Sequence, residues 1–265
     1  MRSLIASALL LLAASSVQAA MVVKPISYTV DKTVFAGHLV YDDASKALRP
    51  GLVMVPNWMG ETEAAVDRAK TIASTDYVIL VADMYGEGVR PKNADEAKDQ
   101  VGKLYADRAK LRARINEAVA TLRAQVGKLP LQAGKIGAIG FCFGGSTILE
   151  LARSGADVAG VVSFHGGLST SMPAAENSIK TPILVLNGAD DRGTSLEDIG
   201  KFNEEMNAAG ADWQFVNFSG AVHCFAEAEA SSPPGCIYNE RAAKRAYRMM
   251  ANFFSERFAA TPAGK

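Results

Sequence analysis

Hydrophobic residues along the chain form two alternating segments first and unbroken runs afterwards. The alternating segments, residues 26–30 and 34–41, are separated by a short polar stretch and predict an antiparallel hairpin. Unbroken apolar runs are typical of strands that are buried on both faces of a parallel sheet. Such runs follow over residues 52–55, 77–82, 136–141, 158–163 and 183–186.

Segments with helical periodicity separate the apolar runs. They cover residues 63–73, 108–124, 146–153 and 196–207. A strand at 213–218 and a helix at 239–258 complete the pattern. Residues 85–98 are expected to form a loop. This alternation predicts an α/β fold, in which a mostly parallel, doubly wound sheet has helices on both faces and begins with the antiparallel hairpin. Because sites in such sheets lie beyond the carboxyl ends of the strands, the residues after each strand are the candidates for chemistry.

The first residues have the layout of a secretory signal peptide. Arg2 precedes an apolar run over 4–14, and small residues lead up to Ala20. The run is shorter than the roughly 20 residues that a membrane-spanning helix needs. We therefore expect cleavage after Ala19, export to the periplasm or medium without a membrane anchor, and one mature domain over residues 20–265. The alternative is a disordered apolar terminus of a cytoplasmic protein.

Composition removes several classes of function. The chain has 28 basic and 28 acidic residues and a formal net charge of zero, so it lacks the basic surface that nucleic-acid binding requires. The sequence has no zinc-protease, paired-cysteine or phosphate-loop motif, and we expect no metal and no cofactor. The cysteine count is three, and an odd count in an exported protein suggests one free thiol. The oligomeric state cannot be deduced.

The run over 136–141 ends in a glycine-rich turn that contains Cys142. The sequence reads GFCFGG over residues 140–145, and a helical segment follows. A G-x-C-x-G turn between a strand and a helix is the pattern of a nucleophile elbow with cysteine in place of serine. The glycines let the backbone pass close by, and the helix N-terminus favours a thiolate. The alternative is a buried, inert cysteine beside packing glycines.

The chain has three histidines, which differ in their relation to the strand ends. His38 lies in the hairpin and is expected to be structural. His165 follows the run over 158–163, and His223 lies in a glycine-containing loop after the last strand. In enzymes with this elbow the acid and then the histidine follow the nucleophile, so His223 is the candidate base. For His165 we expect a loop residue that is satisfied by hydrogen bonds.

The acid is expected after the run over 183–186, where the sequence reads NGADDR. The spacing from Gly188 favours Asp191, and Asp190 is the alternative. The carboxylate would accept the second ring N–H of the histidine, which fixes the tautomer and stabilises the imidazolium.

Together, the Cys142 turn, the 188–191 stretch, the 220–225 loop and the order Cys, Asp, His resemble the dienelactone hydrolase family. The resemblance covers most of the mature chain. It implies an α/β-hydrolase fold and the hydrolysis of small ester or lactone substrates through an acyl-thioester intermediate.

The resemblance also assigns roles. It implies Cys142 as nucleophile, His223 as base and then acid, and Asp191 as the residue that orients the histidine. It implies an oxyanion hole made by the backbone N–H groups of Phe143 and Trp58. The Trp58 side chain would then be either a packing aromatic or part of the substrate-binding surface.

Two positions, Asn57 and Glu227, depart from the family pattern and are candidate substrate-binding residues. At the position of Asn57, the best-known members have a glutamate that helps to set whether the cysteine is a thiol or a thiolate. Activation of Cys142 is therefore expected to rest on His223 and the helix dipole. Those members have a substrate-binding arginine at the position of Glu227. Because an acid repels an anion, we expect a neutral or cationic ester, lactone or thioester. The alternative for Glu227 is a solvated surface residue.

The remaining cysteines, Cys224 and Cys236, flank a short polar segment. In an oxidising compartment they could form a disulfide next to His223 and leave Cys142 as the single free thiol, and the alternative is that they are unpaired.

Two other classes of function stay open at this stage. They are a redox-reactive thiol protein and a non-catalytic binding protein on the same fold.

Overall fold

A computed structural model of the chain describes residues 21–259, so the predicted signal peptide lies outside the described residues. One sheet runs through this part of the chain in the strand order β1-β2-β4-β3-β5-β6-β7-β8. Its strands are β1 (Met21–Val30), β2 (Thr33–Asp42), β3 (Arg49–Val55), β4 (Val78–Val81), β5 (Leu131–Phe141), β6 (Val161–Phe164), β7 (Ile183–Gly188) and β8 (Trp213–Phe218).

The pairing is parallel from β4 to β8 and antiparallel at the first edge. The β1–β2 hairpin is antiparallel, and β2 joins the parallel strands through an antiparallel pairing with β4. This is the predicted α/β-hydrolase architecture, a mostly parallel sheet that begins with a hairpin. A separate two-stranded sheet pairs β9 (Ser231–Ser232) with β10 (Cys236–Ile237) and was not expected from the sequence.

Helices cover both faces of the sheet. They are α1 (Glu63–Ala73), α2 (Ala94–Ala106), α3 (Arg108–Arg123), α4 (Phe143–Arg153), α5 (Leu196–Ala208) and α6 (Glu240–Ala259). Strand β3 shows why its apolar run is unbroken. Val53 and Val55 pack in the core that includes α2 to α5, whereas Leu52 and Met54 pack in the core that includes α1 and α6.

The prediction of a loop over residues 85–98 is wrong in its second half, because α2 begins at Ala94. Asn93 caps this helix and accepts a hydrogen bond from the Glu96 N–H at 3.0 Å. Ala97 and Leu104 are buried on α2, and Val101 and Tyr105 pack against the same core, so the helix has an apolar face with helical spacing that the sequence interpretation missed. Within residues 21–259, no helix combines the length and hydrophobicity that crossing a bilayer requires.

The chain reverses its direction of winding between β3 and β5. From β3 it proceeds to β4 on one side, and from β5 it proceeds through β6, β7 and β8 on the other. A crevice forms beyond the carboxyl ends of strands at such a switch point. Residues 56–60 after β3 and Cys142 after β5 therefore flank this crevice.

Candidate active site

Cys142 occupies a strained turn between β5 and α4. Its φ of 54° lies in the left-handed region, which is costly for a residue with a side chain. The turn is tight because of its glycines: a Cβ on Gly140 would lie 2.1 Å from the Gly144 oxygen, and one on Gly144 would lie 2.0 Å from the Val55 oxygen. The thiol is half-buried and is the one free cysteine among residues 21–259. Strain and close packing thus present the sulfur at the N-terminus of α4.

His223 and Asp191 meet beside this thiol. The Nδ1 atom of His223 lies 2.7 Å from Asp191 Oδ2, and the same imidazole forms a side-chain hydrogen bond with Cys142. Asp191 is 7% exposed, and its other oxygen accepts the Gly193 N–H at 2.8 Å. Asp190 is exposed and does not contact the histidine. The structure therefore brings together the three side chains that the sequence nominates and excludes the alternative acid.

The electrostatics of His223 follow from these contacts. Burial acts to lower its pKa, but hydrogen bonds to Asp191 and Cys142, together with their negative charges, raise the pKa of His223 to about 10. The imidazole therefore carries a proton at neutral pH. The His223 imidazolium thus places a positive charge and a hydrogen-bond donor beside the sulfur of Cys142.

Two backbone N–H groups on either side of the crevice are candidates for binding an anion. Within residues 21–259, the N–H groups of Phe143 and Trp58 have no hydrogen-bond acceptor. Phe143 is the first residue of α4, and Trp58 lies in the turn after β3, across the crevice. Trp58 is 36% exposed and lines the cavity, so its side chain is not a buried packing aromatic.

Asn57 and Glu227 contact each other across 170 residues of sequence. Asn57 Nδ2 donates to Glu227 Oε2 at 2.5 Å, and Asn57 Oδ1 accepts the Met59 N–H at 3.0 Å, so the amide is engaged at both ends. Glu227 is 2% exposed, and the interpretation of Glu227 as a solvated surface residue is wrong. Burial raises the pKa of Glu227, whereas Arg68 and Asn57 act to lower it.

Arg68 is the site residue that the sequence interpretation missed. Its Nη2 lies 2.9 Å from Glu227 Oε2 and also contacts Glu229 Oε1. The guanidinium stacks over the Phe141 ring, 4.7 Å from its centroid. A signal for Arg68 exists in the sequence: it occupies the buried face of α1 with Ala65, Ala69 and Ile72, where a charged residue requires a buried partner.

His165 lies directly behind the elbow. It is fully buried, with a φ of 41°, and its Nδ1 accepts the Cys142 N–H at 3.1 Å. Its Nε2 has no hydrogen-bond partner in the described residues and lies 3.7 Å from Glu227 Oε1. The expectation of a satisfied loop histidine therefore holds for one ring nitrogen only. Burial, with His223 and Arg68 nearby, lowers the pKa of His165 well below its usual value, so this imidazole is neutral.

A disulfide between Cys224 and Cys236 forms one wall of the site. It ties the β9–β10 hairpin to the residue that follows His223, and the Ile237 N–H donates to the His223 carbonyl at 3.1 Å. A cavity of about 370 Å³ opens between this wall and Trp58, with Cys142 and His223 at its base. His38, in contrast, lies on β2, where its Nδ1 is 2.7 Å from Glu61 Oε1. No group of metal-binding side chains occurs within residues 21–259.

Comparison with known proteins identifies the family of the chain. A model of the dienelactone hydrolase family matches residues 35–258. The chain belongs to that family. It is a carboxylic ester hydrolase with an α/β-hydrolase fold.

Relatives of this hydrolase include solved structures and a bacterial protein. A dienelactone hydrolase-like promiscuous phosphotriesterase from metagenomic libraries is 36% identical and superimposes with a TM-score of 0.83, over 89% of this chain and 98% of that one. The structure of m3DLH is 34% identical, with a TM-score of 0.82 over the same shares. A protein of Methylorubrum extorquens named "Putative carboxymethylenebutenolidase" is 28% identical over 187 residues, which cover 66% of this chain and 63% of that protein.

This hydrolase carries a carboxylate next to position 57. The sequence shows only an amide there, Asn57. In the structure, the carboxylate of Glu227 reaches Asn57 from the loop after His223, and Arg68 pairs with the same carboxylate oxygen.

Proposed function

We propose that this hydrolase cleaves small ester, lactone or thioester substrates through a Cys142 nucleophile, a His223 base and acid, and an Asp191 that orients the histidine. The observation that carries the proposal is the unbroken series of contacts from Cys142 through His223 to Asp191. Cys142 and His223 line the cavity, near two N–H groups that have no acceptor within residues 21–259. A redox or binding protein requires no such arrangement.

The reaction begins when the Cys142 thiolate attacks the substrate carbonyl carbon. The carbonyl π electrons move to oxygen, and the N–H groups of Phe143 and Trp58 stabilise the oxyanion. Collapse of the tetrahedral intermediate breaks the bond to the leaving oxygen or sulfur. The His223 imidazolium donates its proton to that atom, and an acyl-thioester remains on Cys142.

Deacylation reverses the role of His223. Because a thioester sulfur carries no charge, the contribution of Cys142 that raises the His223 pKa is lost, and the imidazole becomes able to accept a proton. His223 takes a proton from water, the hydroxide equivalent attacks the thioester, and collapse releases the carboxylic acid and restores the thiolate–imidazolium pair. Asp191 holds Nδ1 throughout, so that Nε2 stays available for proton transfer.

The cavity favours uncharged or cationic substrates. Glu227 and Glu229 both line it, and both pair with the single guanidinium of Arg68. These three groups carry one excess negative charge when ionised, which disfavours a substrate carboxylate. Trp58 and the disulfide supply apolar surface for an acyl or alcohol group.

The test is hydrolysis of nitrophenyl acetate by the wild type and by Cys142→Ala and His223→Ala. Both variants are expected to lose more than about a hundredfold in kcat/KM, because each removes a group that acts in the transition state. Rapid quenching of the wild type followed by mass spectrometry is expected to find one acetyl group on Cys142. Full activity of Cys142→Ala would refute the nucleophile.

A second candidate activity is the hydrolysis of neutral phosphotriesters. A relative with 36% identity over 98% of its length is described as a promiscuous phosphotriesterase, and a triester avoids the charge repulsion of Glu227 and Glu229. The thiolate would attack phosphorus, release the alcohol with a proton from His223, and leave a thiophosphate ester. Turnover of diethyl nitrophenyl phosphate by the wild type but not by Cys142→Ala would support this activity, and absence of turnover would exclude it.

We also propose that residues 1–19 direct export and that the mature protein acts in the periplasm or outside the cell. The support is the signal-peptide pattern, together with a disulfide of the kind that persists in oxidising compartments. N-terminal sequencing of the exported protein is expected to begin at Ala20. A sequence that begins at Met1 would contradict the proposal.

A further inference from the structure

Tyr85 lies between the two backbone segments that supply the N–H groups of the site. It follows β4 and is 6% exposed. Its hydroxyl donates to the Trp58 carbonyl at 2.7 Å. Its ring stacks on that of Phe143, with the centroids 5.6 Å apart and the planes inclined by 20°. One side chain therefore contacts both Trp58 and Phe143, whose N–H groups have no acceptor within residues 21–259.

The turn over residues 57–60 also packs on the Tyr85 ring. Gly60 has a φ of 75°, and a Cβ at this position would lie 3.2 Å from two ring carbons of Tyr85. The Gly60 N–H donates to the Asn57 carbonyl at 2.9 Å and closes the turn. Tyr85 thus holds the turn at two points on either side of Met59. Its hydroxyl bonds to the Trp58 carbonyl, and its ring contacts Gly60.

The chemistry of Tyr85 suits a fixed donor. Burial raises its pKa well above the usual value, and the nearby Cys142 acts in the same direction. The phenol therefore keeps its proton beside a thiolate and continues to donate to the Trp58 carbonyl. Tyr85 is not among the residues that line the cavity, so it reaches the substrate only through its neighbours.

We propose that Tyr85 is a positioning residue that holds the N–H groups of Trp58 and Phe143 at the separation required by the oxyanion. The inference rests on the proposed function, because the oxyanion forms only if Cys142 attacks a carbonyl. The Trp58 carbonyl and N–H flank the same α carbon, so a bond to the carbonyl restricts rotation of the N–H. The stacked ring restrains the first residue of α4 from the other side.

The experiment compares the wild type with Tyr85→Phe, which removes the hydroxyl and keeps the stacked ring. We expect kcat on nitrophenyl acetate to fall about tenfold, with KM changed less than about twofold, because a misplaced donor weakens stabilisation of the transition state more than substrate binding. Inhibition by a trifluoromethyl ketone, whose adduct places an oxyanion in the hole, is expected to weaken by about the same factor. Alkylation of Cys142 by iodoacetamide involves no oxyanion, and its rate is expected to stay unchanged.

Tyr28→Phe is the matched control. It removes another buried tyrosine hydroxyl that donates to a backbone carbonyl, that of Asp83, and it is expected to retain the wild-type kcat. Phe143→Leu is a second variant, which removes the ring that stacks on Tyr85 and contacts Tyr105 but keeps the Tyr85 hydroxyl, and it should lower kcat in the same KM-independent way. An unchanged kcat for Tyr85→Phe, or an equal loss in alkylation rate, would overturn the inference. Loss of activity in Cys142→Ala is read separately, because it reports on the proposed function alone.

Discussion

Reduction of the Cys224–Cys236 disulfide should lower the stability of the protein by an amount that the structure sets. The bridge joins residues 12 apart in sequence. With about 13 residues in the closed loop, the loss of chain entropy in the unfolded state corresponds to about 3 kcal/mol at 25 °C. For a folded unit of roughly 240 residues, this predicts a fall in Tm of about 6 °C. The measurement is urea and thermal unfolding of the wild type with and without a reductant.

Variants separate this effect from others. Cys236→Ala should show the lowered stability without reductant and should not respond to it. Cys142→Ala should respond to reductant as the wild type does, because its missing thiol is not part of the bridge. Thiol titration of the denatured, unreduced protein should find one thiol. Three thiols in that titration, or equal unfolding midpoints with and without reductant after the bridge is shown to be reduced, would refute the reasoning.

Three further predictions concern the site. Asp191→Asn is expected to lower kcat by about a thousandfold or more, because the bond to the His223 Nδ1 N–H is lost, whereas Asp190→Asn, at an exposed position without that bond, should retain activity in the same assay. The His223 pKa is raised to about 10, so its imidazolium is present at neutral pH and is lost as the pH rises through that value. The value of kcat/KM should therefore fall on the alkaline side near pH 10. A decline centred near pH 7 would contradict the assignment. Gly144→Ala places a Cβ 2.0 Å from a β3 carbonyl oxygen and should lower kcat about a hundredfold, because the two sides of the crevice must separate. The control is Gly102→Ala on α2, where a Cβ meets open space, and this variant should be fully active.

Sequence patterns predicted the fold class because they report local structure. The unbroken run that became β3 predicted a strand buried on both faces, and the helix over 63–73 is observed with the same bounds. The missed helix α2 illustrates the limit of this approach. Its apolar residues Ala97, Val101, Leu104 and Tyr105 have helical spacing but lie among charged residues, and only Ala97 and Leu104 are buried.

The nucleophile, base and acid could be nominated from the sequence for a related reason. Each follows a strand that is recognisable on its own, and in a parallel sheet the carboxyl ends of those strands meet along one edge. The spacing from Gly188 favoured Asp191 over Asp190, and the fold supplies the physical reason. Adjacent residues point in different directions, and only the folded loop places Asp191 Oδ2 at 2.7 Å from His223 and leaves Asp190 exposed.

The sequence by itself determined the order of the elements and the residues that follow the strands. The tertiary structure alone decided which distant side chains share one environment. Arg68 and Glu227 are 159 residues apart and form a buried ion pair, and Tyr85 reaches Trp58 from the end of a neighbouring strand. The physical reason is that burial and partner choice depend on how helices and strands pack, whereas composition and periodicity describe each segment alone. For Glu227 the sequence left open a substrate-binding residue or a solvated surface residue, and in the fold it is a buried, paired carboxylate.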